Sequence, residues 1–427
     1  MTSQHAAVAP FVHEPARSTP VRHETEVLVV GGGSAGVAAA VAAARSGAEV
    51  LLVERHGYLG GLATGGLILL LLTLDDGRGR QAVAGLCQEV TERLARRDAA
   101  RFPPEAEWGS ADEARVRHWQ RWGLVWGRAP HRVRYSVAYD AEEMKFALAE
   151  LCQEARVRIL FHTFAAEPLV EDGRIVALAF QGKSGRFAVR PRIVIDATGD
   201  GDVFAAAGCA LEKEEVLPWL WFTVAGVEDA EGVLSRGGGF FHALGHGKVL
   251  LPWGATEKVR RIDATSPEDL SRAQLECRRR VMDEFDRLRR EVPGFERASL
   301  AQIADQIGIT ESRRLVGEYV LTREDMDRPF ADAIAVTGHW TKYGVTYQIP
   351  YRSLLPKELS NLLVAGRCIS VDHRVHHATK EIPPCMATGE AAGTAAALAL
   401  RAGVAPRALD VAALRERLAA QGAILSV

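Results

Sequence analysis

The sequence predicts an α/β fold, in which a Rossmann-type nucleotide-binding domain with a central parallel sheet carries a smaller inserted α+β domain. Three observations predict it. An apolar run at residues 27–30 passes directly into glycines spaced GxGxxG, an alanine-rich helical pattern follows over residues 37–45, and a second apolar run at residues 50–53 ends in Glu54. At 427 residues the chain is long enough for two or three domains.

The first glycine motif has the features of a dinucleotide site. Gly31 permits the tight turn after the strand, Gly33 lets the backbone approach a pyrophosphate, and Gly36 lets helix and strand pack closely. The helix then faces the phosphates with the positive end of its dipole. Glu54, at the end of the second strand, stands where an acid accepts hydrogen bonds from a ribose. An ordinary glycine-rich loop would need none of these neighbours, so we predict dinucleotide binding.

The composition indicates a globular protein with a small-molecule partner. The 52 basic and 54 acidic side chains give a formal net charge of −2, so no bulk field attracts nucleic acid or an anionic membrane. The six cysteines form no CxxC pair, which argues against a zinc site, an iron–sulfur cluster or a disulfide scaffold and favours reduced thiols in the cytoplasm. Residues 1–21 do not resemble a signal peptide and are expected to form a flexible tail.

Later segments are expected to complete the nucleotide-binding sheet. Residues 78–98 have the pattern of an amphipathic helix, and the strand candidates 158–162 and 175–180 are expected to pair. Residues 189–196 form another strand, which ends in the tight turn of ATGDGDVFAAAG without a full GxGxxG. NLLVAGRCIS predicts a strand ending at Gly366, and ATGEAAGTAAALAL predicts a helix.

These segments divide the chain into two discontinuous units. Residues 22–98, 130–211 and 346–427 are assigned to the nucleotide-binding domain, and residues 99–129 and 212–345 to a substrate or cap domain. Tryptophans crowd the first inserted segment, and the second has mixed periodicity with a charged helical stretch. We therefore expect the substrate pocket to be built largely from the inserted segments.

Four stretches follow one another in an informative order: VVGGGSAGVAAA, YLGGLAT, IDATGDGDVFAAAG, and NLLVAGR with GEAAGTAAALA. Together they resemble the FAD-dependent oxidoreductase family related to the fumarate reductase and succinate dehydrogenase flavoproteins. The resemblance runs from about residue 25 to about residue 402, and GITESRRLVGEYVLT and YQIPYRSLLP are also similar to family segments. It implies FAD as the cofactor, on a glutathione-reductase-like Rossmann fold with a β-meander.

The resemblance also implies cofactor contacts by position. The first glycine turn would bind the pyrophosphate, Glu54 the adenosine ribose, and the second glycine loop the phosphates and the flavin edge, while Ala165 would lie by the adenine. Small residues near the start of the last helix would face the pyrimidine oxygen of the flavin. The implied cofactor-binding residues are Gly31, Gly33, Ser34, Ala35, Gly36, Glu54, Arg55, Gly60, Gly61, Ala63, Thr64, Ala165, Thr198, Gly199, Asp200, Gly366, Arg367, Gly389, Glu390, Ala391 and Gly393.

The sequence departs from the family pattern at three positions. Thr310 replaces an arginine in GITESRR, Lys380 stands where an arginine is common, and Glu390 replaces the usual glutamine of GQAAG. Lysine lacks the fork that binds a carboxylate through two hydrogen bonds, so the departures weaken the case for a carboxylate substrate. The GITESRR segment also places Glu311 beside two arginines, and such arginines are usually solvated or salt-bridged.

FAD supplies the redox chemistry, so the protein must provide a group that removes a proton from the substrate. Histidines between the Gly366 strand and the last helix suit this role, and His373 is the first choice because it matches a family histidine. Structural histidines and aromatic packing are the alternatives. The candidate catalytic residues are His373, His339, Tyr347 and Lys380, with His376 and His377 as further candidates. We predict no metal, because the sequence shows no carboxylate or cysteine set beside these histidines.

Three functional hypotheses follow. The leading one is a FAD-dependent dehydrogenase or oxidase that transfers a hydride from a small organic substrate to flavin N5, with oxygen or a redox partner as electron acceptor. The second is a flavin monooxygenase that uses NAD(P)H and oxygen. The third is a non-catalytic or RNA-modifying flavoprotein, which the near-zero net charge disfavours. A homo-oligomer is compatible with each hypothesis, and the substrate stays open.

Overall fold

A seven-stranded sheet forms the centre of the computed structural model, which describes residues 14–236, 239–252 and 259–427. Residues 1–13 of the expected tail lie outside the described residues, and the last residue of that tail already begins the first strand. The helices are α1 Ser34–Arg45, α2 Leu86–Arg96, α3 Glu113–Arg121, α4 Ala141–Glu154, α5 Asp202–Ala206, α6 Ala230–Ser235, α7 Pro267–Glu291, α8 His373–Thr379, α9 Ile382–Ala402 and α10 Val411–Ala420.

The strands belong to one large sheet and several small ones. In chain order they are β1 Val21–Val30, β2 Val50–Val53, β3 Leu70–Leu71, β4 Ala100–Arg101, β5 Val137–Tyr139, β6 Arg158–Leu160, β7 Phe164–Glu171, β8 Arg174–Gly182, β9 Gly185–Asp196, β10 Leu211–Lys213, β11 Glu215–Val216, β12 Phe222–Ala225, β13 Phe241–His242, β14 Val249–Leu251, β15 Ile262–Asp263, β16 Ser299–Ile303, β17 Arg313–Leu315, β18 Ala333–Gly338, β19 Thr346–Pro350 and β20 Leu362–Val364.

The large sheet has a parallel half and an antiparallel half. Its order is β6-β2-β1-β9-β8-β7, with β20 also paired to β9. β6, β2, β1, β9 and β20 are mutually parallel, whereas β7, β8 and β9 form an antiparallel meander. β2 and the second half of β1 are almost completely buried, as expected of strands covered on both faces. The predicted α/β fold class is confirmed.

Smaller sheets surround this centre. A four-stranded sheet has the order β13-β14-β12-β16, a three-stranded sheet has the order β3-β5-β4, and three two-stranded sheets pair β10 with β17, β11 with β15 and β18 with β19. α7 begins at the Ser266 N-cap, as the charged helical stretch indicated, and buries one face. The large sheet draws all its strands from segments assigned to the nucleotide-binding domain, but the exact domain division stays a prediction.

Two expectations about local structure were wrong. α2 begins only at Leu86, because the preceding residues form a turn in which the Asp76 carboxylate accepts hydrogen bonds from the amides of Arg78 and Arg80. The strands β6 and β8 do not pair: β6 pairs with β2, whereas β8 pairs with β7 and β9. β7 was missed because its half-exposed pattern and its proline are typical of an edge strand, for which the hydrophobic signal is weak.

Candidate functional site

The carboxyl ends of four parallel strands meet at one edge of the large sheet. After β1 the chain turns at Gly31, whose φ of +99° favours glycine, and it enters α1 without any side chain capping the helix. The helix N-cap is Gly33, and the first intrahelical bond runs from the Val37 amide to the Gly33 carbonyl. The earlier amides of α1 therefore point out of the helix end, where a phosphate binds.

Two of the motif glycines are required by packing. A Cβ on Gly31 would lie 2.4 Å from the Ala197 carbonyl oxygen, and a Cβ on Gly36 would lie 1.8 Å from the Gly31 carbonyl oxygen. In contrast, a Cβ on Gly33 would meet nothing within 4 Å. Space is therefore open beside Gly33 at the α1 N-terminus, where no side chain of the described residues comes within 4 Å of the added Cβ.

Glu54 is buried at the end of β2 and points back to the glycine turn. Its carboxylate oxygens accept hydrogen bonds from the backbone amides of Gly32 at 2.6 Å and His56 at 2.7 Å. Each oxygen retains a lone pair, so the side chain can still accept a ribose hydroxyl. The role of Glu54 in holding the glycine turn was not apparent from the sequence. Arg55 is exposed beside it, and the Thr163 amide donates to the Glu54 carbonyl, which places Ala165 nearby at the start of β7.

The second glycine loop lies against the first. Gly60 pairs with Gly33 as an isolated bridge, and its amide donates to the Gly32 carbonyl at 2.8 Å. Two side-chain hydrogen bonds hold this loop in place. The Thr64 hydroxyl donates to the Leu59 carbonyl, and the Tyr139 hydroxyl donates to the Ala63 carbonyl. Gly61 stands opposite Gly33, so the two glycine segments form one concave backbone surface.

The turn after β9 closes the other side of this surface. Asp196, fully buried, accepts hydrogen bonds from the amides of Val203 and Phe204 and so occupies the N-terminus of α5 itself. It also binds the amide and hydroxyl of Thr198. Gly199 has a φ of +78° and faces the guanidinium of Arg367. The α5 N-terminus is therefore satisfied by the protein, in agreement with the absence of a second dinucleotide fingerprint.

The turn after β20 places the guanidinium of Arg367 next to the turn after β9. Arg367 donates from Nη2 to the Asp200 carboxylate at 2.8 Å, and Asp200 is also bound by the Ser312 hydroxyl. The Arg367 Nη1 is buried and has no hydrogen-bond partner among the described residues. Gly366 has a φ of +84° and lies against Ala35 of α1. An unpaired guanidinium nitrogen beside two glycine turns is suited to a phosphate oxygen.

The last helix is placed differently from our expectation. We expected Gly389 and Gly393 near its start, but α9 begins at Ile382, with prolines in its first turn. Both glycines lie in the helix interior, where a Cβ would be 2.1 Å from the Ala35 carbonyl oxygen and 2.0 Å from the Ala39 carbonyl oxygen, respectively. The expected position near the helix start is therefore wrong, because both glycines lie where they allow α9 to pack closely on α1. Their contact with the flavin stays a prediction.

Glu390 and Ala391 share this interior position. Ala391 is fully buried, and the Glu390 carboxylate accepts a hydrogen bond from the Leu86 amide at 2.9 Å. Burial raises the pKa of Glu390 to about 7, although the Leu86 amide opposes the shift. Glu390 lines a cavity of about 350 Å³ between α1, α2 and the C-terminal segment. The contact that the structure shows for Glu390 is thus with the start of α2. The placement of these two residues on the flavin stays a prediction.

His373 begins α8 and is held by a buried carboxylate. Its side chain is 52% exposed, and its Nδ1 lies 2.9 Å from Glu311 Oε2. Glu311 in turn forms an ion pair with Arg314, which is 1% exposed. One potential ligand atom from each of Glu214, Glu311 and His373 lies within 4.8 Å of the other two. Our premise that no carboxylate set lies beside these histidines is therefore wrong, since the acids come from a distant segment.

Three other candidates on or after α8 differ in environment. His376 is 1% exposed, and its Nε2 lies 2.8 Å from the Arg367 carbonyl. Burial lowers the pKa of His377 to about 4, with Lys380 and His373 adding to the effect. Burial also lowers the pKa of Lys380, whose ammonium group has no hydrogen bond or ion pair with the described residues. The rings of His373 and His377 meet edge to face at 5.6 Å.

His339 and Tyr347 lie on the β18–β19 hairpin, with ring centroids 6.3 Å apart. Burial lowers the pKa of His339 to about 4, so its imidazole is neutral at physiological pH. The segment is fixed by Arg134, which is ion-paired with Asp75 in the interior and donates to the His339 carbonyl at 3.0 Å. Tyr347 is almost completely buried. Sequence reasoning missed the Arg134–Asp75 pair, which no local pattern signals.

The geometry of the strand ends fits FAD. Open space lies before the α1 N-terminus, two glycine turns form its walls, an acid stands at the ribose position, and an arginine nitrogen is left unpaired. The family model for FAD dependent oxidoreductases matches residues 26–230 and 241–418. The chain belongs to the FAD-dependent oxidoreductase family. It is therefore an enzyme, and FAD is its cofactor.

Two curated relatives from Methanopyrus kandleri are similar to part of this oxidoreductase. Digeranylgeranylglycerophospholipid reductase 2 is 27% identical over 218 residues, which cover 49% of this chain and 46% of the relative. Digeranylgeranylglycerophospholipid reductase 1 is 29% identical over 211 residues, which cover 48% of each. The chain thus spans about half the length of the curated relatives that it matches.

Solved structures share the fold of this oxidoreductase. A geranylgeranyl bacteriochlorophyll reductase-like protein from Thermoplasma acidophilum has a TM-score of 0.50 and 15% identity, covering 94% of this chain and 84% of that chain. The p-nitrophenol 4-monooxygenase of Pseudomonas putida has a TM-score of 0.51 and 13% identity, and the match covers 93% of this chain and 86% of the monooxygenase chain. At these identities the similarity shows the fold alone. Across the described ranges, every helix is too short or too polar to cross a membrane.

Proposed function

We propose that this oxidoreductase removes a hydride and a proton from a small organic substrate, with the hydride passing to N5 of FAD and the proton to His373. The observation that carries the proposal is the position of α8 between the β20 turn and α9. This connection bears a half-exposed His373 paired with Glu311, together with Lys380 and His377. A histidine with one nitrogen held by a carboxylate and the other accessible suits a general base.

We assign the cofactor to the concave surface at the strand ends. The amides of Ser34, Ala35 and Gly36 would hold the pyrophosphate together with Arg367, while Glu54 would bind the ribose. FAD supplies the electron-accepting ring. The chain supplies the orientation of that ring and the groups around it, with Lys380, His339 and Tyr347 as the remaining pocket candidates. The small substrate enters between these groups and the inserted segments.

A second candidate is a flavin-dependent reduction of a prenyl carbon–carbon double bond. It is supported by the two curated relatives, which are named digeranylgeranylglycerophospholipid reductases. Electrons would then leave the reduced flavin, and the proton would move from the protein to the substrate. The finer relation to the fumarate reductase and succinate dehydrogenase flavoproteins rests on motif order, and Thr310 departs from it.

The cellular setting is proposed on chemical grounds. The six cysteines are all buried free thiols, which supports a reducing compartment such as the cytoplasm. Oxygen or a redox protein would reoxidise the flavin, and a homo-oligomer is compatible with the described surface.

The direction of electron transfer is tested with purified holoenzyme under anaerobic conditions. Alcohols, amines and acids are added singly, and bleaching of the flavin absorbance is followed; we expect one class to bleach it. In the reverse assay, the dithionite-reduced enzyme is mixed with geranylgeraniol in detergent. Reoxidation there, with no bleaching in the first assay, would replace the dehydrogenase proposal by the reductase. Bleaching by NADPH alone would point to a monooxygenase.

The base is tested with His373→Ala and a matched control, His118→Ala, in the exposed α3 helix. We expect His373→Ala to retain FAD and to slow flavin reduction on the order of 100-fold, because general-base catalysis contributes about that much or more. His118→Ala should reduce at the wild-type rate. Equal rates for wild type and His373→Ala would remove this residue from the proposed mechanism.

A further inference from the structure

Glu311 is placed so that it can hold His373 in one orientation. Both carboxylate oxygens lie near the imidazole Nδ1, at 2.9 Å and 3.1 Å. Within the part of the chain that the structure describes, Glu311 is the only hydrogen-bond partner of the His373 side chain. The ring is otherwise steadied by the edge-to-face contact with His377. The Nε2 edge of His373 therefore stays free for a ligand.

Glu311 itself is anchored by an arginine. Its side chain is 6% exposed and forms an ion pair with Nη1 of Arg314. Arg314 is 1% exposed, and it also donates to the Val371 carbonyl at 3.0 Å and to Glu212 at 2.7 Å. An ionised carboxylate can only accept hydrogen bonds, so the nitrogen that faces it must carry the hydrogen. In neutral His373 this leaves the lone pair on Nε2.

The second histidine on this carboxylate does not compete for it. His376 Nδ1 lies 3.7 Å from Glu311 Oε2 and has no hydrogen-bond partner in the described ranges. Its Nε2 donates to the Arg367 carbonyl, so a neutral His376 has a lone pair on Nδ1. Burial lowers the pKa of His376 far below its ordinary value, which keeps it neutral. Two acceptors then face each other without a bond, and the carboxylate remains available to His373.

We propose that Glu311, anchored by Arg314, is the positioning residue that fixes His373 in its Nδ1–H tautomer and so leaves Nε2 as the proton acceptor. This inference rests on the proposed base role of His373. In the proposed reaction the substrate would lose two hydrogens, and His373 Nε2 would accept the one that leaves as a proton. Bound FAD would supply the acceptor for the other, which leaves as a hydride. Glu311 would balance the positive charge that forms on the imidazole. The imidazole would then lose this charge when it releases the proton to water.

The tautomer is measurable without any substrate. Oxidised holoenzyme labelled with ¹⁵N-histidine is examined by long-range ¹H–¹⁵N NMR, and the His373 signals are assigned by their loss in His373→Ala. We expect the wild type to show a protonated Nδ1 and an unprotonated Nε2. Glu311→Gln places an amide opposite Nδ1, and we expect a shift towards the Nε2–H tautomer. Glu212→Gln is the matched control, because Glu212 binds Arg314 and, among the described residues, forms no hydrogen bond or ion pair with His373.

The kinetic readout uses the panel compound that bleaches the wild-type flavin fastest. Glu311→Gln should slow flavin reduction on the order of 100-fold with little change in KM, since the base is present in the wrong tautomer. Glu212→Gln should keep the wild-type rate and tautomer. Flavin reduction at the wild-type rate in His373→Ala would contradict the role of His373 as the base. The NMR result on the tautomer would be unaffected, so the two proposals can be contradicted separately.

Three outcomes would overturn the positioning role. The first is an Nε2–H tautomer of His373 in the wild type, a result that needs no Glu311 variant and stands even where Glu311→Gln fails to fold. The second is an unchanged tautomer and rate in a folded Glu311→Gln variant. The third concerns the three ligand atoms within 4.8 Å at Glu214, Glu311 and His373. A stoichiometric divalent metal measured in the purified wild type and lost in Glu311→Gln would make Nδ1 a metal ligand instead of a donor.

Discussion

At the residue scale, Gly33 differs from the glycines around it. Gly31 and Gly36 are needed by the protein itself, because a Cβ at either position would overlap backbone atoms. Gly33 has φ −64° and ψ 179°, which any residue can adopt, and a Cβ there would meet nothing within 4 Å. The fold alone does not require glycine at this position. We attribute the requirement to the cofactor, which needs close access to the backbone amides.

This attribution predicts that Gly33→Ala separates FAD binding from folding. The added methyl group would stand in the phosphate space, so we expect FAD affinity to fall by about 10- to 100-fold, or roughly 1.4–2.7 kcal/mol. The thermal midpoint of the apoprotein should equal that of the wild type. FAD titration by fluorescence quenching and a thermal scan of the apoprotein measure the two effects.

Two control variants complete this test. Gly36→Ala should lower both the FAD affinity and the thermal midpoint of the apoprotein, because its Cβ would overlap the Gly31 carbonyl. Gly182→Ala, in the distant meander, should lower neither, since its Cβ would make only an ordinary contact at 3.7 Å. An apoprotein of Gly33→Ala that melts well below the wild type would show that Gly33 serves the fold and would contradict the attribution.

Glu390 gives a prediction about pH. Burial raises its pKa from 4.5 to about 7 in the folded chain. A group whose folded pKa is raised contributes stability that is fully present below its unfolded pKa and is lost as the pH rises through about 7. From pH 5 to pH 8 we therefore expect Glu390→Gln to gain roughly 2–3 kcal/mol of unfolding free energy relative to wild type.

Urea denaturation of the wild type and Glu390→Gln at both pH values measures this difference. The glutamine can still accept the Leu86 amide hydrogen, so the contact itself is kept. Glu416→Gln, on the exposed side of α10, is the control and should follow the wild type at both pH values. A constant difference between Glu390→Gln and wild type across this range would mean that Glu390 does not titrate there in the folded protein.

At the scale of elements, the contact between α1 and α9 connects the cofactor turn to the C-terminal part of the chain. Gly389 and Gly393 let the two helix backbones approach directly, at the Ala35 and Ala39 carbonyls. The sequence predicted both helices but placed these glycines at the wrong point of α9. Pro383 and Pro384 were a readable signal that the helix starts earlier, because proline is tolerated in a first turn and not in a helix interior.

Other elements show what local pattern can and cannot provide. The Asp140 N-cap and the β1–α1–β2 unit were predictable, since caps and buried strands leave strong local signals. The turn before α2 depends on the Asp76 side chain binding two backbone amides, and the meander edge β7 depends on its partner β8. Neither interaction is visible in the local pattern of apolar residues.

The helix contact predicts that Gly393→Ala destabilises the protein and loosens FAD. Alanine favours a helix over glycine by about 1 kcal/mol, but its Cβ would lie 2.0 Å from the Ala39 carbonyl oxygen, so the helices must separate. Overpacking typically costs about 1–3 kcal/mol, and we expect the clash to dominate and lower the thermal midpoint. Less FAD per protein should be recovered, because α1 also holds the phosphates. The control is Ala402→Ser, at an exposed position at the end of α9, which should keep the thermal midpoint and the FAD content of the wild type. A higher thermal midpoint for Gly393→Ala would contradict the role of Gly393 in packing α9 against α1.

At the scale of the whole molecule, the candidate site is assembled from segments far apart in the chain. Arg367 after β20 binds Asp200 after β9, which in turn binds Ser312 before β17, and Glu311 next to it binds His373. The glycine turns and Glu54 were predictable because a strand, a turn and a helix lie in one local unit. The acids and arginines around α8 were not predictable from the sequence, because the contacts between them depend on how β17 packs beside the sheet.

This long-range assembly predicts that FAD stabilises the entire fold and not only its own loops. Apoprotein stripped of flavin should melt lower than holoenzyme, and FAD at 100 times its Kd should add about 2.7 kcal/mol to the unfolding free energy. FMN at the same concentration should add far less, because it lacks the adenosine diphosphate part that the α1 N-terminus and Glu54 are placed to bind. Gly33→Ala should keep only about 0.4–1.4 kcal/mol of the FAD increment at that concentration, because its affinity is 10- to 100-fold lower, while its apoprotein melts as wild type. Equal stabilisation by FMN and FAD would show that the glycine turn and Glu54 do not hold the cofactor, whatever chemistry the flavin ring performs.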